Sequence, residues 1–333
     1  MEFREFTAGK DDDGRRLDRI LRIFLKDKSL GEIYSLLRKG LIKVNQKKAK
    51  PDLHVKENDV ILIADFLFNT TADSSPSDKE NSFKKSEKKE KSFEIIFENK
   101  DLLIINKPYG IAVHESEKSE KAAVSSLNKE VLEYYNNKKA SAAKSLAFRP
   151  GPLHRLDRNT TGLLVFSMSL EGAKWFSECI KNHTIHKKYY GLAEGKLTEA
   201  ENWEDRLSDS DVTENGFHTV NENENGALAQ TYAKPLAYGC LGGKPVTLVE
   251  YSIKTGRKHQ IRAQSMLHSH PLAGDSAYGG HKNDKLKREY YLQAFSLTFP
   301  KDNPLSLPPE IKMKLSDDFL QILQCCEIEN PGL

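Results

Sequence analysis

Only four cysteines occur among the 333 residues, and Cys179, Cys240 and the adjacent Cys325-Cys326 have neither metal-ligand nor paired-disulfide spacing. Reduced thiols in a cytoplasmic protein are therefore expected. No apolar run approaches bilayer-spanning length, and the opening Met1-Glu-Phe-Arg-Glu-Phe lacks the apolar core of a secretory signal. No membrane association is expected. Ten histidines include no His-x-x-x-His pair, and His268 and His270 stand too close together to be diagnostic, so no metal is expected. The chain has no phosphate-binding Walker loop and no Gly-x-Gly-x-x-Gly. Nothing calls for a nucleotide, a flavin or any other cofactor. Internal repeats are absent as well.

Charge is plentiful but unevenly spread. The formal net charge is only +3. From Arg15 to Lys50, however, twelve Lys and Arg stand against Asp18, Asp27 and Glu32, a local excess of +9 that leaves −6 for the remainder. Such asymmetry points to a polyanionic partner for the first segment.

That segment reads as a small basic domain. Leu17, Ile20, Leu21 and Phe24 recur at helical spacing, as do Ile33, Leu36 and Leu37, and Lys39-Gly40 supplies a helix stop. Strand-like runs follow at Leu41–Val44 and Val60–Ile63. This succession resembles the alpha-L RNA-binding domain, named after a small-subunit ribosomal protein, and sets a domain over residues 13–66. The resemblance implies phosphate contacts from Arg15, Arg16, Arg19, Arg38, Lys39, Lys43, Lys47 and Lys48. Residues 67–92, rich in Ser, Lys, Glu and Asp, form the expected flexible linker. Beyond it, at 93–333, strand-like and helix-like runs alternate. Leu102–Ile105 and Gly162–Ser167 are short apolar strands, and Ala173–Asn182 is an amphipathic helix with Trp175, Phe176, Cys179 and Ile180 on one face. Tyr189–Ala193 is a further strand. Val249, Tyr251 and Ile253 alternate like a half-buried strand, and so do Tyr291, Gln293, Phe295, Leu297 and Phe299. The expected class is α/β (α+β) with one main sheet and flanking helices.

Four motifs carry chemistry. His154-Arg-Leu-Asp157-Arg-Asn-Thr-Thr-Gly162 sets a carboxylate between two arginines just before an apolar strand. Neighbouring cations favour the ionised carboxylate, the form a nucleophile needs. Asn106-Lys107-Pro108-Tyr-Gly110 to His114 comes earlier, a strand-turn in which Lys107 and His114 have no assigned catalytic part. His186-Lys187-Lys188-Tyr189-Tyr190-Gly191 comes later, and Thr255-Gly-Arg257-Lys-His259-Gln-Ile261-Arg262 is followed by Gly274-Asp275-Ser-Ala-Tyr278-Gly279. In this order they resemble the motifs of the RluA-type pseudouridine synthases. Two departures stand out: Gly191 where that family commonly has Ala, and Gln264 where it usually has His.

The resemblance implies a largely antiparallel central sheet crossed by an active-site cleft. It also implies an enzyme that isomerises uridine to pseudouridine in RNA, with large-subunit ribosomal RNA the expected substrate and a monomer the expected state. Asp157 would be the catalytic aspartate, acting as nucleophile at the anomeric carbon or as base on the neighbouring ribose proton. Arg262 would pair with it, and Tyr189 would stack on the base. Arg155 would enter the RNA helix that the uridine leaves, because a base inside a duplex must be flipped out before chemistry. Ile261 would wall the base, while Arg257 and His259 would meet phosphate or cap the following helix. Two other readings are possible: an RNA-binding ribosome-assembly factor with an inactive synthase domain, and a glycosidase, which would want two carboxylates.

Overall fold

A computed structural model describes residues 1–25, 27–68, 92–114, 126–138, 145–212 and 218–328. Most of the expected linker, from 69 to 91, lies outside the described residues. The chain divides into two compact units. One comprises Met1–Lys91, Val131–Pro150 and Ser169–Glu171; the other comprises Ser92–Glu130, Gly151–Met168 and Gly172–Leu333.

In the first unit, helices α1 (Leu17–Phe24) and α2 (Leu30–Lys39) form where the apolar spacing places them. Ser29 and Glu32 exchange side-chain-to-backbone hydrogen bonds at the start of α2, and Gly40 ends it in the left-handed region at φ 72°. The sheet runs β1-β4-β2-β3, with β1 at Phe3–Thr7, β2 at Ile42–Val44, β3 at Lys47–Lys48 and β4 at Val60–Ala64. Strand β1 precedes the domain start set at residue 13. It carries only Phe3 and Phe6 as large apolar residues, too few for alternation to show, yet all five residues pair with β4. Residues 131–150 also depart from the division read at the linker. The fully buried Asp12 carboxylate accepts the Leu146 and Ala147 N–H groups and the Ser145 hydroxyl, and Leu146 and Ala147 are buried in this unit's core.

The second unit is built on a ten-stranded sheet in the order β10-β9-β11-β12-β8-β13-β7-β6-β5, with β14 added beside β13. Its elements are β5 (Glu94–Glu98), β6 (Leu102–Lys107), α3 (Leu127–Lys138, whose later residues cluster with the first unit), β7 (Thr161–Ser167) and α4 (Leu170–Lys181). There follow β8 (His186–Glu194), β9 (Glu201–Val212), β10 (His218–Glu222), β11 (Ala227–Leu241), β12 (Lys244–Ile253), α5 (Gln260–Leu267), β13 (Leu292–Thr298), β14 (Glu310–Lys312) and α6 (Asp317–Cys325). Every pairing is antiparallel except β13 with β7. The fold is thus mixed α+β with an antiparallel-rich sheet.

Strand β13 differs from its half-buried reading. Leu292, Ala294 and Ser296 are buried as well as Gln293, Phe295 and Leu297, because the strand lies between β7 and β8 and both faces are covered. Gln293 is tolerated there because it bonds Lys314 O and Ser316 N. Where β13 meets β7, Gly162 sits at φ 105°, and a Cβ there would lie 2.1 Å from Ala294 O. Only glycine permits that approach, and it fixes the strand that begins just after the Asp157 segment. Gly191 also has a physical reason: a Cβ would meet the Tyr251 ring at 2.8 Å, so the tyrosine fills the space an alanine would need.

Candidate active site

Within the second unit, the four motifs line one cavity of about 890 Å³. Asp157, Arg262, Tyr189, Arg155, Ile261, Arg257 and His259 all face it. The segment carrying Asp157 is clamped from several sides. Lys107 is fully buried, and its ammonium donates to Pro108 O at 2.9 Å and to Arg158 O and Thr160 O at 2.8 Å. It holds the Asp157 loop and meets no open space where a phosphate would sit. Burial pulls its pKa down to about 7, against the pull of Asp157's charge. Arg158 Nε donates to Gly110 O, Asn159 donates to Glu289, and Thr160 shares a bond with the Tyr290 hydroxyl. Val165 N–H donates to His154 Nε2, and burial drives the His154 pKa down to about 3, so this ring is a neutral acceptor.

Three carboxylates line the cavity, and their commitments differ. Asp275 takes Arg262 Nε at 2.7 Å and Nη2 at 2.8 Å. Glu289 takes Asn159. Asp157 accepts no side-chain hydrogen bond from the described residues; it faces Arg262 Nη1 at 3.6 Å and His259 Nε2 at 3.8 Å. The sequence reading paired Arg262 with Asp157. The guanidinium does face Asp157 as an ion pair, Nη1 to Oδ2 at 3.6 Å, and in addition gives its bidentate fork to Asp275. Burial opposes the charge on Arg262, but the Asp275 bonds outweigh it and hold the pKa above the ordinary arginine value. The Tyr290 and Tyr278 ring centroids lie 4.5 and 4.8 Å from its Cζ, within cation–π range.

His259 sits at the N-cap of α5 at φ 52°, yet its side chain makes no capping bond. Nδ1 lies 2.8 Å from the Tyr278 hydroxyl, which itself accepts Val220 N–H. The Tyr278 hydroxyl thus holds the Nδ1 side of the ring and turns Nε2 toward Asp157. Burial lowers the His259 pKa to about 4, so the contact with Asp157 is that of a neutral imidazole. The turn before α5 is closed by Gln260, whose Oε1 accepts Arg257 N–H and the Thr255 hydroxyl. Arg257 Nε is spent on Leu228 O, and Arg155 is exposed, with no ion pair to Asp157. Gln264, the departure on α5, is completely buried and bonds Asp205, Ala229 O and Thr231. It ties the helix to the sheet and does not line the cavity.

The adjacent tyrosines of β8 point to opposite faces. Tyr190 stacks on Phe295 with centroids 3.6 Å apart in the core. Tyr189 lines the cavity, and its hydroxyl has no hydrogen-bond partner among the described residues. Burial, with Asp157's charge, pushes that hydroxyl's pKa far up. It is a donor and not a phenolate that would take a proton. Sequence reasoning left out Asp275, Tyr278 and Tyr290. The first two stand in the Gly274–Gly279 motif, so their signal was present; Tyr290 carries none.

Residues 101–267 match the RNA pseudouridylate synthase family, and residues 15–61 match the S4 domain. The chain belongs to the RNA pseudouridylate synthase family. It is an isomerase that acts on RNA. Two relatives, both called ribosomal large subunit pseudouridine synthase C, come from Pasteurella multocida and Haemophilus influenzae. Each is 30% identical over 88% of this chain, covering 85% and 86% of the relative respectively. The solved structure of human RNA pseudouridylate synthase domain containing 4 shares the fold at TM-score 0.56 and 23% identity, over 71% of this chain and 94% of that one. No helix among the described residues is long and apolar enough to cross a membrane.

Proposed function

We propose that this synthase converts uridines of large-subunit ribosomal RNA to pseudouridine, as a cytoplasmic monomer without a cofactor, and that Asp157 begins the reaction. The observation that carries the site assignment is the contrast among the cavity's carboxylates: Asp275 and Glu289 are occupied, whereas Asp157 is held in place with its oxygens uncommitted. The carboxylate acts on the ribose, at the anomeric carbon as nucleophile or at the neighbouring C–H as base, and is regenerated at the end. The bond from C1′ to N1 breaks, a bond from C1′ to C5 forms, the C5 proton is released, and N1 takes up a proton. Arg262 supplies positive charge beside Asp157 without neutralising it by a close pair. Tyr189 offers its ring to the uracil and its O–H as a donor, and Ile261 supplies an apolar wall. Arg155, exposed at the rim, is free to stack where the flipped base was. Arg257 and the neutral His259 serve position more than charge.

The S4 unit supplies phosphate contacts. Arg19, Arg38, Lys39, Lys47 and Lys48 are exposed for that purpose, and Arg15 is half-buried. Arg16 is already bonded to Asp18, and the Lys43 amine lies over the Phe3 ring, so these two contribute less. The names of the ribosomal relatives support the substrate, and the uncommitted Asp157 gives the inactive-factor reading no support. The test is Asp157→Asn, assayed by tritium release from C5-labelled ribosomal RNA with RNA affinity measured in parallel. Loss of release with affinity retained is expected; substantial turnover would remove Asp157 from this role.

A further inference from the structure

Of Lys107, Lys187 and Lys188, which lie in the motifs around the cavity, one is placed differently from the other two. Lys187 is 7% exposed and lines the cavity, yet its amine has no hydrogen bond or ion pair among the described residues. Its neighbours are accounted for. Lys188 pairs with Glu250 at 3.0 Å, and Lys107 has its three carbonyls. The Lys187 stem is buried while its amine opens to the cavity, so a partly desolvated cation there is completed by an anion that arrives with the ligand.

The surroundings specify the anion. Lys187 precedes Tyr189 by two residues on β8, so both project on the same face about 7 Å apart. Lys187 pairs with Ile253 between β8 and β12, its charge reaches the buried His154 ring, and the adjoining cavity lining is Ile180, Lys181, His183, Ile185 and Ile253–Arg257. It contributes Lys181, His183, Lys254 and Arg257 but no carboxylate. Gly256 lies against the amine: a Cβ there would sit 3.2 Å from Lys187 Nζ, so glycine leaves that side open. Burial lowers the Lys187 pKa to about 8, which leaves most of the amine charged at neutral pH.

We infer that Lys187 is a phosphate-binding, positioning residue, whose amine takes the phosphodiester next to the target uridine in a cationic arm of the active-site cavity. The inference rests on the reading of the cavity as the uridine site. Lys187 anchors the backbone one nucleotide step from Tyr189, and thereby fixes where the ribose meets Asp157.

The test uses the full chain and an RNA carrying the target uridine. Lys187→Met keeps the length and removes the charge. Its KM should rise several-fold and kcat should fall with it as the ribose loses its register against Asp157, and the slope of log kcat/KM against log salt should become shallower by about 0.7, the contribution of one phosphate contact on a single strand. Lys187→Arg should keep the slope. A neutral methylphosphonate at the linkage flanking the uridine should weaken the parent enzyme and leave Lys187→Met indifferent. Without RNA, Lys187→Met should melt at or above the parent temperature, because a partly desolvated charge is gone. An unchanged salt slope, or an equal methylphosphonate penalty in both proteins, overturns the assignment. So does a marked fall in melting temperature, which would make the lysine structural. A lower kcat at unchanged slope would also overturn it, placing the amine on an uncharged uracil oxygen. If the parent protein forms no pseudouridine in that RNA, the reading of the cavity fails; if it does and Lys187→Met behaves identically, only this inference fails.

Discussion

Asp275 takes both short bonds of the Arg262 guanidinium and so sets the one nitrogen that faces Asp157 at 3.6 Å. The arginine is aimed by one acid and used by another. Removing one partner of a buried pair leaves a bare charge and costs about 3–5 kcal/mol. Arg262→Met should therefore destabilise the protein by that order and abolish turnover. Adding Asp275→Asn should restore much of the stability and none of the activity. Denaturant unfolding of the two single variants and the double variant, with tritium release, checks this. Additive losses of stability would show that the pair is not coupled.

For Tyr189, ring and hydroxyl separate cleanly. The hydroxyl is protonated and has no partner among the described residues, so it has a bond to give to the bound nucleoside. Tyr189→Phe should keep RNA affinity within about twofold and raise the barrier behind kcat by roughly 1–3 kcal/mol, about a five- to hundredfold slower turnover. Tyr189→Leu should also weaken binding, because base stacking on the order of 1–3 kcal/mol is lost. Unaltered kcat in Tyr189→Phe would confine this residue to stacking.

Much of this site was legible because its residues sit in short contiguous motifs whose residue types and order are distinctive. The helices of the first unit were legible for a related reason: Leu17, Ile20 and Leu21 mark one face by local spacing alone. What escaped depends on partners distant in sequence. Nothing near Leu146 reveals that its N–H bonds Asp12, and nothing within β13 reveals that both faces of the strand are packed over. Asp275 was visible in its motif, but its claim on Arg262 is a matter of distances, which residue order does not contain.

Lys107 is a clamp, and Lys107→Met tests it. The variant leaves Pro108 O, Arg158 O and Thr160 O without their donor, at a cost on the order of 3 kcal/mol. The Asp157 loop should loosen, so kcat should fall more than RNA affinity. Lys107→Arg should rescue little, because a planar fork does not satisfy three converging carbonyls. Full activity in Lys107→Met would show that the loop is held well enough by Gly110, Glu289 and Tyr290.

The buried His259 makes a pH prediction. Its folded pKa of about 4 lies below the unfolded value of 6.5, and burial is the main cause. Between those values the unfolded chain binds a proton that the folded protein refuses. This contribution to stability is fully present above about pH 6.5 and is lost as pH falls through 4, by roughly 3 kcal/mol in total. His259→Gln should lose that part of the acid dependence and keep the part due to His154, whose pKa is lower still. Parallel stability curves for the variant and the parent from pH 7 to 4 would contradict this.

Phosphate anchoring by the first unit is better tested by charge than by deletion. Removing residues 1–92 would strip the cover from Leu146 and Ala147 and take away the Asp12 carboxylate that their N–H groups need. Any loss of RNA binding would then be confounded with loss of folding. Replacing Arg19, Arg38, Lys39, Lys47 and Lys48 by Gln leaves that core intact, since all five are exposed. Each phosphate contact removed should flatten the dependence of log affinity on log salt by about 0.7–0.9. If all five residues meet RNA, the slope falls by roughly four, and binding weakens most at low salt. Short fragments carrying the target uridine should remain substrates, because the Asp157 cavity is untouched. An unchanged slope on full-length ribosomal RNA would mean that the +9 segment is only a solvated face.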